Sequence, residues 1–105
     1  MAGGHRKFIW APKARRDLID IWKYFANAAS PEIADNLLRE INHAVERLRE
    51  HPFSDRPRNE IAPGLRSILV HPHLIIYRPM ETTVEIMRIL HECQDYSAAF
   101  TENPN

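Results

Sequence analysis

Residues 65–91 have the sequence LRSILVHPHLIIYRPMETTVEIMRILH, which contains three runs rich in Ile, Leu, Val and Tyr. Such runs are typical of β-strands, and the prolines between them mark turns. Because the connections are short, consecutive strands are expected to pair as an antiparallel meander. The predicted strands cover residues 65–70, 73–78 and 83–90.

The last of these strands predicts which side of the sheet is covered. Val84, Ile86 and Leu90 share one parity, whereas Glu85 and Met87 lie on the other. Successive side chains of a strand point to opposite faces of the sheet. The first set is therefore expected to pack on the preceding helices, and the second to face water or a partner.

Two helices are predicted before the strands. Pro12 suits the first turn of a helix, and apolar residues then recur at helical spacing to about residue 28. Ser30 and Pro31 form a second start signal, a capping hydroxyl followed by proline, and the next stripe continues to about residue 50. The two stripes are Ala14, Leu18, Ile21, Trp22 and Phe25, and Ile33, Ala34, Leu37, Leu38, Ile41, Val45 and Leu48.

The link between the helices is short, so they are expected to form an antiparallel hairpin. Residues 5–10 are predicted to form an edge strand with Phe8 and Trp10 on one face, and residues 52–64 to form a loop. The predicted order is β-α-α-β-β-β. The fold class is therefore α+β, an antiparallel sheet packed against a two-helix hairpin.

Composition fits one small globular domain over residues 1–105, with 1–5 and 97–105 as flexible tails. Basic and acidic residues number 14 each, and this balance argues against a general nucleic-acid binder that relies on counterion release. Cys93 is the sole cysteine, so no internal disulfide is available and a reducing cytoplasm is expected. No apolar run approaches the roughly 18 residues of a membrane span, so no membrane partner is expected.

The order and spacing of several segments resemble the ParE branch of the RelE/ParE toxins of bacterial toxin–antitoxin operons. The resemblance extends from about residue 10 to residue 95. It departs from the family pattern after His91, where Glu92 and Cys93 replace the usual small residue or glycine. The segments that carry the resemblance are residues 14–22, 34–48 followed by His51 and Pro52, 63–66, 75–78 and 84–91.

The resemblance implies a non-catalytic toxin that binds and blocks DNA gyrase and is neutralised by a co-expressed, ParD-like antitoxin. The expected role of its site residues is contact, with no catalytic group and no cofactor. The two tail aromatics of the antitoxin set are also expected as secondary target contacts. The expected target-binding residues are Arg66, Arg78, Arg88 and His91, and the expected antitoxin-binding residues are Leu18, Trp22, Phe25, Tyr96 and Phe100.

The alternative function is a ribosome-dependent mRNA endonuclease of the RelE type. RNA cleavage needs a base, an acid and cations for the developing charge. Leu74 occupies the position where related RelE toxins place an arginine, and the strands contain no lysine. A third hypothesis is a degenerate member that binds antitoxin but is no longer toxic. The groups available for a nuclease site are Arg66, Arg78, Arg88, His73 and His91.

Two of the candidate arginines also have a structural interpretation. Arg66 and Arg88 share the parity of apolar neighbours, and an arginine on the core side of a strand needs a carboxylate or a route to the rim. Each is therefore predicted either to stabilise the fold or to bind a partner. The candidate carboxylate partners are Asp17, Glu60 and Asp95.

No metal site is predicted. His71 and His73 alternate on a strand and share a face in this interpretation, but zinc requires three or four ligands within tetrahedral reach. Cys93 has no obvious activating base in a triad, so a buried, inert thiol is expected. Tyr77 is expected to place its hydroxyl at the sheet edge.

Overall fold

The structure is a computed structural model that describes residues 6–94. It confirms the α+β class and the order of the predicted elements. The expected tails at 1–5 and 97–105, including Tyr96 and Phe100, lie outside the described residues. The elements are β1 (Lys7–Trp10), α1 (Pro12–Ala28), α2 (Pro31–Glu46) with a 3₁₀ turn (Arg47–Arg49), β2 (Arg56–Pro57), β3 (Arg66–Val70), β4 (His73–Pro79) and β5 (Thr83–His91).

The five strands form one mixed sheet in the order β1-β5-β4-β3-β2. The predicted antiparallel meander of β3, β4 and β5 is confirmed. The sheet as a whole is not antiparallel, because β1 runs parallel to β5. A short strand, β2, also forms within the predicted loop and pairs with β3. Short turns determine the direction of the last three strands, whereas β1 is separated from them by the entire helix hairpin.

Both helices begin where the sequence predicts. Pro12 is the first residue of α1, and Ser30 caps α2 by accepting a hydrogen bond from the backbone N–H of Ile33 at 3.2 Å. A hydrogen bond from the Trp22 indole N–H to Asp35 Oδ1, 2.8 Å long, joins the two helices. The hairpin then packs on one face of the sheet.

The main core lies between the helix hairpin and this face, here called the helix face. Phe8 and Trp10 pack against it from β1, as predicted. Ile33, which the helical stripe placed in the core, is instead 50% exposed at the first turn of α2. The fully buried residues of the core are Ala14, Ile41, Ala44, Val45, Leu48, Ile68, Ile75, Tyr77, Val84, Ile86 and Ile89.

A β-bulge changes which side chains of β5 face the helices. Ile76 pairs with Arg88 while Tyr77 pairs with Ile86, so one extra residue of β5, Met87, lies between them. The side-chain parity of β5 therefore reverses at this point. Ile89 enters the helix-face core, and the prediction that Leu90 shares a face with Val84 and Ile86 is wrong.

The opposite face of the sheet, here called the outer face, carries a second apolar cluster. It had been expected to face water or a partner. Instead Leu65, Leu74, Ile76 and Leu90 are buried there, and Ile61 from the chain before β3 packs against them. The central strand β4 is accordingly buried on both faces.

Candidate functional site

A cavity of about 480 Å³ lies between α1 and the C-terminal half of β5. It forms there because β1 stops at Trp10, opposite Ile86, so β5 is the edge of the sheet beyond that point. Tyr24 and Phe25 supply an aromatic wall and are in edge-to-face contact, with ring centroids 5.0 Å apart. The lining is Asp17, Asp20, Ile21, Tyr24, Phe25, His73, Arg88, Ile89, Leu90, His91 and Gln94.

An ion pair between α1 and β5 forms part of this cavity. Arg88 donates from Nε to Asp17 Oδ2 at 2.8 Å and from Nη2 to Asp17 Oδ1 at 3.1 Å. The side chains are 18% and 13% exposed, respectively. The hydrogen bonds to Asp17 raise the pKa of Arg88 despite its partial burial. The structural interpretation of Arg88, with Asp17 as its carboxylate partner, is therefore confirmed.

Side chains also occupy the exposed edge of β5. Asp17 Oδ2 accepts a hydrogen bond from the backbone N–H of Ile89 at 2.8 Å, and Gln94 Oε1 accepts one from that of His91 at 3.1 Å. Unpaired edge groups otherwise invite strand addition by another chain. These two backbone N–H groups are therefore already paired, and a partner that enters this cavity contacts the side chains that cover them.

His73 is the most buried polar residue of the cavity. Its side chain lies edge-on to Phe25 and His91, with centroids 6.0 and 5.9 Å away, and its Nδ1 has no hydrogen-bond partner within residues 6–94. Burial lowers the pKa of His73, and the neighbouring His91 lowers it further. The imidazole is therefore neutral at pH 7.

This burial predicts a pH-dependent stability. The pKa of His73 lies below its ordinary value of 6.5 in the folded chain, so the unfolded chain binds the proton more readily. Stability should be complete above pH 6.5 and fall as the pH drops toward the folded-state pKa, with a slope of at most about 1.4 kcal/mol per pH unit from this group. Urea unfolding at pH 5.5 and 7.5 measures the difference.

The control for this measurement is a pair of histidine variants. His73→Gln should reduce the loss of stability at the lower pH. His43→Gln, at an exposed position on α2, should retain the wild-type dependence. The pKa of His73 also depends on the charges of His91, Glu92 and His71. The test therefore compares the pH dependence of stability between the variants and does not rely on the absolute slope. An unchanged pH dependence in His73→Gln would contradict the assignment.

Tyr77 and Arg66 hold the chain between α2 and β2. The fully buried Tyr77 places its hydroxyl 3.1 Å from the Pro52 carbonyl oxygen and 3.2 Å from Asp55 Oδ2. Arg66 Nη1 donates to the carbonyls of Phe53 and Asp55 at 2.9 and 2.6 Å. Burial, followed by the nearby Asp55, raises the pKa of Tyr77, which remains a hydrogen-bond donor. The expectation that its hydroxyl lies at the sheet edge is wrong, because this chain segment folds over it.

The four expected target-binding residues do not form a single patch. Arg88 and His91 line the same cavity. Arg66 lies on the helix face beside Tyr77, whereas Arg78 lies on the outer face, with its Nη1 3.9 Å from Glu85 Oε1. Arg66 donates to backbone carbonyls and not to Glu60, which is hydrogen-bonded by Arg58. The candidate partner Asp95 lies outside the described residues.

Of the groups proposed for a nuclease site, Arg88, His73 and His91 line the cavity, whereas Arg66 and Arg78 lie elsewhere in the described part of the chain. Arg66 is held by backbone carbonyls, Arg88 by Asp17, and His73 is buried against Phe25. Cleavage of RNA would require these groups to converge on one phosphate. The arrangement of residues 6–94 supports contact surfaces better than it supports this chemistry.

The expected antitoxin-binding residues on α1 have different environments. Leu18 packs against the main core, and Trp22 is half-buried between the helices. Phe25 lines both the large cavity and a second one of about 290 Å³ with Ile33 and Leu37. Tyr24, which is 65% exposed, was missed, although its position three residues after Ile21 could have indicated it.

His71 and Cys93 do not lie where the sequence predicts. No group of three potential metal ligands occurs among residues 6–94. His71 lies in the β3–β4 turn, where its Nδ1 is 2.8 Å from Glu92 Oε2, so it does not share a face with the buried His73. Cys93 is exposed in the turn after β5, so the prediction of a buried thiol is wrong. Within the described segment, no helix is long and apolar enough to span a membrane.

The helix hairpin on a mixed sheet is a fold shared with two solved structures. A solved chain described as "Chromosomal ParDE TA system from P. aeruginosa" matches with a TM-score of 0.72 and 24% identity, covering 84% of this chain and 97% of that one. A "YoeB/ParE toxin from Agrobacterium tumefaciens" matches with a TM-score of 0.58 and 15% identity, covering 81% and 96%.

Sequence comparison identifies the branch. The family model described as "ParE toxin of type II toxin-antitoxin system, parDE" matches residues 8–96. A Toxin ParE1 from Mycobacterium tuberculosis is 31% identical over 90 residues, covering 85% of this chain and 92% of the relative. A Toxin ParE1 from Caulobacter vibrioides is 33% identical over 86 residues, covering 82% and 88%. The chain therefore belongs to the ParE toxin family of type II toxin–antitoxin systems, and the predicted resemblance is confirmed.

Proposed function

We propose that this toxin inhibits DNA gyrase in the cytoplasm by binding to it, and that it stalls the enzyme with DNA cleaved and not resealed. The observation that carries the proposal is membership of the ParE family over most of the chain. The pairing of Arg88 with Asp17 and the burial of His73 also favour binding over chemistry. Arg66, Arg78, Arg88 and His91 remain the proposed contacts; Arg88 and His91 share the cavity, whereas Arg66 and Arg78 lie apart from it.

The second part of the proposal is neutralisation by a ParD-like antitoxin. The cavity between α1 and β5 offers aromatic walls from Tyr24 and Phe25 and polar groups at its rim. An amphipathic antitoxin segment would bury its apolar side against this wall, in the manner of a helix in a groove. Leu18 and Trp22 act here by supporting α1, and Phe25 makes direct contact. Tyr96 and Phe100 remain proposed contacts from the tail.

The experiment is a supercoiling assay with purified gyrase, relaxed plasmid and the toxin alone or with its antitoxin. Inhibition by the toxin, with accumulation of cleaved DNA and reversal by antitoxin, is the expected result. Unimpeded supercoiling at saturating toxin would remove the gyrase proposal. Two parallel assays test the alternatives. New 5′ ends in a message on translating ribosomes would indicate the endonuclease. Normal growth of cells after induction of the toxin alone would indicate a degenerate member.

A further inference from the structure

The segment Pro52–Asp55, here called the Phe53 loop, is held against the sheet by hydrogen bonds from two strand residues. Tyr77 contacts the Pro52 carbonyl and the Asp55 carboxylate, and Arg66 donates to the carbonyls of Phe53 and Asp55. Pro52 itself is buried. Arg66 of β3 and Tyr77 of β4 therefore fix the loop through Pro52, Phe53 and Asp55.

The side chain that this loop presents to solvent is a phenyl ring. Phe53 is 56% exposed, although full burial of a phenylalanine contributes about 1.5–3 kcal/mol. Its backbone is anchored by Arg66, so the ring extends from a fixed position.

The surroundings of the ring are cationic. The Arg66 guanidinium lies 5.4 Å from the Phe53 centroid, and that of Arg6 lies 6.0 Å away. Arg49 is linked to Arg6 by reciprocal hydrogen bonds from side chain to backbone carbonyl, but its own charge is paired with Glu46 at 2.9 Å. The hydrogen bonds of Arg66 go to neutral carbonyls, and it forms no ion pair within residues 6–94, so a carboxylate of a partner can pair with it.

We propose that Phe53 is the anchor by which the toxin engages its protein target, inserting into an apolar pocket rimmed by acidic side chains that meet Arg66. The proposal rests on the proposed function, because it assigns this surface to the gyrase complex. Exposed aromatic rings on rigid backbones, flanked by arginine, are typical of the few residues that dominate binding energy at an interface. Tyr77 acts through the loop and is a positioning residue.

The test compares Phe53→Ala with the matched control Leu69→Ala. Both side chains are about equally exposed, and Leu69 lies on the outer face of β3, away from the Phe53 loop. Phe53→Ala is expected to weaken binding to purified gyrase by at least about 30-fold and to raise the inhibitory concentration in the supercoiling assay in parallel. Leu69→Ala should change neither, and thermal unfolding establishes that both variants are folded.

The outcomes separate the inference from the function on which it rests. A wild-type toxin that neither binds nor inhibits gyrase overturns both. Inhibition by the wild type with equal potency in Phe53→Ala overturns the anchor alone. A variant that binds gyrase normally but has lost affinity for the purified antitoxin also overturns it, because the Phe53 loop would then belong to the antitoxin interface.

A double-mutant cycle tests the positioning role of Tyr77. Tyr77→Phe removes the hydroxyl that holds Pro52 and Asp55, and gyrase binding should weaken several-fold at a temperature where the variant is fully folded. If Tyr77 acts through Phe53, the effect should disappear when Phe53 is already alanine. An equal effect of Tyr77→Phe in both backgrounds would show that Tyr77 contributes only general stability and would overturn this role.

Discussion

Asp17→Ala is expected to lower the free energy of unfolding by about 3 kcal/mol. The substitution leaves the guanidinium of Arg88 in a largely buried position without its bidentate partner. It also removes the acceptor for the backbone N–H of Ile89 at the β5 edge. Breaking one partner of a buried pair is costly because the remaining charge stays desolvated. Equilibrium denaturation in urea measures the change.

Two further variants, one at Asp17 and one at Asp20, make the Asp17 prediction specific. Asp17→Asn retains an oxygen that accepts from Ile89, so it should lose less stability than alanine. Asp20→Ala, at an exposed position on the same helix, should change the unfolding free energy by no more than about 0.5 kcal/mol. Equal losses in Asp17→Ala and Asp20→Ala would mean that the ion pair contributes nothing beyond a surface charge.

Ile41→Ala is expected to destabilise the protein by about 3 kcal/mol, equivalent to a fall in melting temperature of roughly 10–20 °C. Ile41 is completely buried at the interface between α2 and the sheet. Truncation removes its apolar contacts and leaves a cavity that the close-packed neighbours fill only partly. Differential scanning calorimetry of the wild type and the variant provides the measurement.

Ile33→Ala is the matched control for this prediction. Ile33 and Ile41 belong to the same helix and the same apolar stripe, yet Ile33 is half-exposed in the first turn of α2. Its truncation should cost no more than about 0.5–1 kcal/mol. A loss at Ile33 as large as that at Ile41 would contradict the packing described here.

The contrast between these two isoleucines shows how far sequence periodicity reaches. Spacing of 3.6 residues placed the stripe on one side of α2, and this prediction was correct for Ala34, Ile41, Val45 and Leu48. Periodicity does not show where the sheet beneath the helix ends. Ile33 extends beyond that support, so it is exposed although its position in the pattern is equivalent.

The strand β5 shows a second limit of prediction from the sequence. Alternation predicted one face for Val84, Ile86 and Leu90, because strict alternation assumes an uninterrupted ladder. The bulge at Met87 is a property of two paired strands, and no signal within β5 alone reveals it. Arg88 follows this bulge directly, and its guanidinium pairs with Asp17 of α1.

The candidate site was predictable only in part. The sequence indicated Arg88 with Asp17 as one of three candidate partners, and the family resemblance gave Phe25 as an expected antitoxin-binding residue. It gave no reason to select Phe53, which lies in a stretch of loop residues. Its importance depends on Tyr77 and Arg66, which are 24 and 13 positions away along the chain but lie directly beneath the loop.

Local signals in the sequence were sufficient to predict two helices, the second capped by Ser30, three strands in a meander and a resemblance to the ParE family. Proline positions, capping residues and apolar spacing act over a few neighbours, so they can be recognised without the fold. The parallel pairing of β1, the reversed face of β5 and the exposed ring of Phe53 were decided by the tertiary structure. Each depends on contacts between segments far apart in the chain, and such contacts exist only after the helices have packed on the sheet.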